Sequence, residues 1–222
     1  MACAMIDKSG LDPDDPNLYL SGMVIFIVIL LLGIVGLFRL GELLLTSPTK
    51  YDPMKLLRRK QLALRRDPVT NQRYVRVYLF KSKGDPHGEG VPVYVGSHAV
   101  RRYCPVVWTD RYLQLTAASK NVTDLSPAFL WPAGGVVTKS SFIRKLKQQL
   151  QISGFDPSGY AGHSLRIGGA VSLKRAGVAE PIIQKLGRWR SDAYKLYTHW
   201  IPADLAEVRD LLRTKQFVRR RR

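Results

Sequence analysis

Gly162-His163-Ser164-Leu165-Arg166-Ile167-Gly168-Gly169-Ala170 sets a histidine and an arginine three residues apart, ahead of a run of small residues. Leu186-Gly187-Arg188-Trp189 follows, and then Tyr194 and Tyr197. On a helix, His163 and Arg166 emerge on one face, and Gly168, Gly169 and Ala170 let that helix pack closely on another element. A cation, a proton carrier and a phenol are the parts needed to attack a phosphodiester while gripping its oxygens. The pattern is a candidate DNA-cleaving centre.

The rest of the chain supplies partners for it. Arg39 comes directly after a long apolar run, with Glu42 three residues on. A guanidinium at the end of buried chain is costly unless it is paired or used. Its readings are a helix-end pair with Glu42, or a phosphate grip that Glu42 holds in place. Arg39 and Arg166 can each hold phosphate oxygens in bidentate fashion. Charge that builds on those oxygens during phosphoryl transfer needs such fixed donors. Lys81 and Lys83 stand in a turn-rich loop, where either ammonium can reach a backbone phosphate, and Lys83 could protonate a leaving oxygen. A phenol with a pKa near 10 is only about one part in a thousand ionised at pH 7. A tyrosine nucleophile therefore needs cations and a proton acceptor, roles open to His163 and Lys83. Tyr194 and Tyr197 lie about one turn apart, and chemistry alone does not separate them.

Composition points the same way. The 222 residues hold 35 Lys and Arg against 17 Asp and Glu, a net charge of +18. That excess favours a polyanionic partner, with nucleic acid ahead of an anionic membrane surface. Hydrophobic residues make up 45%, enough for a globular core and against wholesale disorder. Cys3 and Cys104 form no disulfide framework, and neither they nor His87, His163 and His199 show metal-ligand spacing.

Leu18 to Phe38 has no charged side chain over 21 positions. Taken alone, this run passes for a membrane span, and the soluble alternative is a helix buried all round. Residues 1–17 read as a polar, Pro- and Asp-rich segment with a helix start around Asp14-Asp15-Pro16. The apolar helix is expected to continue through Gly36 to Leu44, where Thr46-Ser47-Pro48 stops it. Asp52 to Arg66 reads as a basic face, and Arg58, Arg59 and Lys60 are candidate phosphate contacts. Val75, Val77 and Leu79 alternate with polar and aromatic neighbours, and Gly90 to Val95 is again extended, so a hairpin with a long basic loop is predicted. Helical patterns return after Ser97 and at Cys104–Thr116, followed by a loop over Ala117–Gly135. Thr138 to Ser141 caps a helix through Gln151, which carries a further candidate contact, Lys139. The motif-bearing helix is expected from about Gly159, with breaks near Gly177, Gly187 and Pro202 and a basic tail ending in Arg219–Arg222.

Together these residues resemble the catalytic domain of the tyrosine recombinase (phage integrase) family. Gly36 to Leu43 is similar to its first arginine box, Ser82-Lys83-Gly84-Asp85 to its hairpin lysine, and Gly162 to Arg166 to its HxxR box. Leu186 to Tyr197 is similar to its last box, in a form nearest to eukaryotic Crypton-type and DIRS-type mobile elements. The resemblance implies a mainly α-helical α+β fold with a small antiparallel sheet over residues 18–210, flanked by the polar segment 1–17 and the basic tail 211–222. It implies cleavage and rejoining of double-stranded DNA through a 3′-phosphotyrosyl intermediate, without metal or other cofactor. Its catalytic residues would be Arg39, Lys83, His163, Arg166 and Tyr197, with Tyr194 in packing. Glu42, Arg188 and Trp189 would support them. Arg188 occupies a position where the family usually has His or Trp, so the supporting role falls to it or to Trp189.

The resemblance further implies protomers assembling on DNA, and a nuclear location in a eukaryotic host or a cytoplasmic one otherwise. Only 38 residues precede Arg39, so the family's separate DNA-clamping (core-binding) domain is expected to be absent. Under this reading Leu18 to Phe38 becomes the central core helix. The competing readings are a type IB topoisomerase, a non-catalytic DNA-binding relic of a mobile element and, more remotely, a single-span membrane protein.

Overall fold

The computed structural model describes residues 1–50, 56–80, 90–117 and 122–189, with Ser191 and Lys195. Its centre is α2 (Gly22–Val35), of which ten of fourteen residues are buried. The helix starts where the Ser21 hydroxyl accepts from the Val24 N–H at 3.3 Å. It ends at Gly36, after which Leu37 turns the backbone left-handed with φ 48°. The apolar stretch is therefore not one helix from Leu18 to Leu44. At ~1.5 Å per residue α2 is ~21 Å long, short of the ~30 Å hydrocarbon layer. Among the described residues no helix is long and apolar enough to cross a membrane.

Four helices pack on α2: α1 (Ala2–Lys8), α4 (Pro105–Ala117), α5 (Lys139–Ile152) and α6 (Ser164–Arg175). The first of these was not foreseen. The N-terminal segment forms its helix at Ala2–Lys8, not at Asp14, because Met5 and Ile6 are fully buried in the main core. Its acidic remainder is strapped onto the start of α4. Arg101 grips both carboxylate oxygens of Asp14, Tyr103 donates to Asp7 at 3.0 Å, and Arg111 donates to the Asp15 carbonyl at 2.7 Å.

The sheet is antiparallel, in the order β1 (Leu62–Arg66), β2 (Arg73–Leu79), β3 (Val91–Gly96). Val75 faces Val95 and Leu64, and Val77 faces Val93 and Leu62, so one apolar stripe crosses all three strands. The β2–β3 hairpin follows the predicted alternation, and its loop, with Lys81 and Lys83, lies outside the described residues. Strand β1 was hidden in the basic segment, since Arg65 and Arg66 fill exposed positions of an edge strand. An Arg73–Asp110 pair at 2.7 Å ties β2 to α4.

Thr138 caps α5 through Ser141, as its sequence predicts. The helix after it starts at Ser164, not Gly159, and α7 (Glu180–Gly187) follows. A short helix, α3 (Leu40–Leu43), lies between α2 and the sheet. The whole is a mainly helical α+β fold with a small antiparallel sheet.

Helices α2 and α6 meet at van der Waals contact. A methyl group on Gly169 would stand 2.2 Å from the Ile34 carbonyl oxygen, a backbone atom that cannot step aside. We expect Gly169→Ala to destabilise the protein by at least ~2 kcal/mol, read as a lowered melting temperature. The N-terminal strap depends on pH in a defined sense. The hydrogen bond from Arg101 holds the Asp14 carboxyl below the usual carboxylate range. Its contribution is thus complete above that range and lost as pH falls through it. Hydrogen exchange of residues 1–17, corrected for intrinsic rate, should speed up relative to α2 below about pH 3.

A candidate active site of converging guanidiniums

A buried helix C-terminus leaves carbonyls that need donors. Two arginines from the far end of the chain donate to the carbonyls of Gly36 and Leu37, where the chain leaves α2. Arg166, 4% exposed, donates to the Leu37 carbonyl through Nη1 and to the Gly187 carbonyl through Nη2. Arg188 donates to Gly36 at 3.2 Å, Leu37 at 3.3 Å and Leu186 at 2.9 Å. It also reaches Glu42 Oε2 at 2.7 Å, and its guanidinium lies 4.9 Å from the Phe38 ring centroid. Leu37 thereby keeps a backbone conformation costly for a side-chain-bearing residue, with its own side chain fully buried against Ala170 and Ile183.

Arg39 and Glu42 sit on the other side of this turn. The Arg39 N–H donates to Glu42 Oε2 at 2.8 Å, and Arg39 Nη1 donates to Oε1 at 3.1 Å. The Arg39 side chain is 31% exposed, whereas Glu42 and Arg188 are 9% and 13% exposed. Arg39 and Arg188 therefore share one carboxylate, which leaves a net positive charge here before Arg166 is counted. Among the described residues, Nε and Nη2 of Arg39 have no hydrogen-bond partner, and neither is a buried atom.

His163 is the N-cap of α6 and is exposed, while Arg166, three residues on, is buried. Gly162, just before His163, packs against Leu40 of α3 and Ile143 of α5. Trp189 lies over Arg166, with the ring centroid 4.1 Å from the guanidinium carbon. The ring covers Gly187 so closely that a methyl group there would fall 1.6 Å from it. Arg188 and Trp189 thus have separate partners, Glu42 and Arg166. Lys83, Tyr194 and Tyr197 lie outside the described residues.

The outer candidates divide. Arg59 is turned into the fold: it donates to the Leu113 carbonyl at 2.9 Å and stacks on Tyr112 at 5.5 Å, and burial lowers its pKa. This corrects its reading as a surface phosphate contact. Arg58 donates to the Leu125 carbonyl at 3.0 Å, and Lys60 is exposed. The Lys139 ammonium lies against Gly41 of α3, beside the site. An open groove of about 1020 Å³ continues along α5, lined by Trp131, Arg144, Lys145 and Lys147. These last three cations were missed, although their crowding within the Thr138-capped helix was visible in sequence. Among the described residues no group of His, Cys, Asp and Glu is placed to hold a metal ion.

The Trp189 contact has a measurable weight. Trp189→Ala removes the ring over Arg166 and the cover on Gly187, and should cost ~2–3 kcal/mol in thermal or denaturant unfolding.

No family model and no curated protein matches the chain. Solved structures do. A XerA recombinase is similar over 96% of this chain, with a TM-score of 0.59 and 18% identity. A XerH site-specific recombinase, in a post-cleavage complex with a palindromic difH substrate, matches over 95% with a TM-score of 0.59 and 14% identity. An FLP recombinase in a Holliday-junction complex matches over 90% with a TM-score of 0.50 and 13% identity. The chain spans 61%, 51% and 44% of those three proteins. At these identities the likeness is one of fold, that of tyrosine recombinases.

Proposed function

We propose that this chain cleaves and rejoins strands of double-stranded DNA as a tyrosine recombinase. The observation that carries the reading is the turn from Gly36 to Glu42, where Arg39 and Arg188 share a single carboxylate and Arg39 keeps donors unpaired among the described residues. A cationic pocket of this kind suits a phosphate, which supplies the missing negative charge. The fold and the net charge of +18 support the same partner.

In this reading Tyr197 attacks the scissile phosphorus. The bond to the 5′ oxygen breaks, a 3′-phosphotyrosyl ester forms, and the leaving oxygen takes a proton from Lys83. His163 accepts the phenol proton, and Arg39 and Arg166 neutralise charge on the non-bridging oxygens. Rejoining is the reverse, with a 5′ hydroxyl displacing the tyrosine, so the bond energy is kept and no metal or nucleotide is consumed. Lys60, Lys139 and the α5 groove hold flanking backbone phosphates. The Gly187-Arg188-Trp189 form of the last box supports kinship with Crypton-type and DIRS-type elements. Several protomers assemble on the DNA.

A second reading, a DNA-binding relic, has one specific support: the Arg166 guanidinium is occupied by the Leu37 and Gly187 carbonyls. A duplex nicked beside the cleavage point separates the two. The enzyme traps a covalent adduct that is lost in Tyr197→Phe and kept in Tyr194→Phe. Retained binding with no adduct in the wild-type protein would establish the relic.

A further inference from the structure

We infer that Arg188 is a positioning residue that sets the aim of Arg39 through the Glu42 carboxylate. The inference rests on the proposed function for its consequence in catalysis, but its structural half stands on the site alone. Glu42 is the only group that Arg39 touches with its guanidinium among the described residues, through Nη1 and Oε1 at 3.1 Å. The orientation of that carboxylate is decided at its other oxygen. Oε2 accepts two bonds, from the Arg39 N–H at 2.8 Å and from Arg188 Nη2 at 2.7 Å.

The main-chain bond alone is one point, about which a carboxylate can turn. Adding the Arg188 guanidinium makes two points and fixes the plane in which Oε1 faces Arg39. Arg188 can do this because it is itself immobilised. Nη1 bridges the Gly36 and Leu186 carbonyls, Nη2 also reaches Leu37, and the planar group lies over Phe38. Its backbone holds a left-handed conformation, φ 57° and ψ 38°, at the end of α7. That conformation swings the side chain back across the helix end toward α2 and α3. Nothing shorter or less branched than a guanidinium spans Gly36, Leu37, Leu186 and Glu42 together.

Arg166 donates to the Leu37 carbonyl as Arg188 does, but the bond to Glu42 Oε2 comes from Arg188. A grip displaced by about 1 Å typically slows such chemistry about a hundredfold. Binding of a long duplex, spread over many phosphates, should change little.

The test measures Arg39 directly. ¹⁵N relaxation of its Nε–Hε group is compared in the wild-type protein, Arg188→Met and Arg188→Lys, beside adduct formation on the nicked duplex. We expect Arg39 to be rigid in the wild type, mobile in Arg188→Met, and intermediate in Arg188→Lys, whose single ammonium can reach Glu42 but not the carbonyl fan. The adduct rate at saturating DNA should fall about a hundredfold in Arg188→Met. The DNA concentration giving half the maximal rate should move by less than about threefold. An Arg39 as rigid in the variants as in the wild type overturns the inference, as does a rate loss recovered by adding DNA. If Arg188→Met does not fold, Arg188→Lys carries the same comparison. If the wild-type protein forms no adduct, the functional reading falls, and the relaxation of Arg39 still decides the positioning role.

Discussion

The structure depends on how one helix ends. Helix α2 is largely buried, its C-cap Gly36 and the next residue are buried as well, and the chain leaves it through a left-handed leucine whose carbonyl needs donors. Guanidiniums from beyond residue 160 supply the donors. Arg166 and Arg188 converge on Gly36 and Leu37, and the same turn presents Arg39 and Glu42 on its other side. Satisfying the core's polar groups and assembling a cationic pocket are therefore one structural event. This explains why charges that would be expensive in a plain core are tolerated here.

Charge elsewhere in the molecule is managed differently. The acidic N-terminal segment neutralises the arginines at the start of α4, at partly or fully exposed pairs of small energetic weight. Arg59 is consumed by Leu113 and Tyr112. Among the described residues, Arg144, Lys145 and Lys147 line one groove along α5, with Lys139 beside Gly41 of α3.

Much of this was legible in the residues. The alternation of Val75, Val77 and Leu79 marked the hairpin, and Thr138 marked the start of α5, because both signals are local. Of the motif residues among those described, Arg166 and Arg188 meet at the turn that carries Arg39 and Glu42. What could not be read was set by long-range geometry. The break at Gly36–Leu37 interrupts an unbroken apolar pattern, since the reason for it lies in donors more than a hundred residues away. The same distance hid the Leu37 carbonyl as a partner of Arg166. Helix α1 is only seven residues long and its apolar run, Ala2 to Ile6, stands ahead of a Pro- and Asp-rich stretch, while β1 shows its basic edge more plainly than its apolar face.

Leu37, Ala170 and Ile183 form a small second cluster, joined by Leu173, Leu186 and Trp189 and separate from the main core. Leu37 is the member that comes from the turn after α2, and α6 spans both clusters through Leu165. Helix α7 is thus held to the rest chiefly through this second cluster and α6. Partial detachment of α7 would leave the large core folded while freeing Arg188 and Trp189, a sub-global opening visible to native-state hydrogen exchange. Integrity of the pocket and survival of the fold are then distinct quantities, and a protein that melts at an unchanged temperature can still have a dissolved centre.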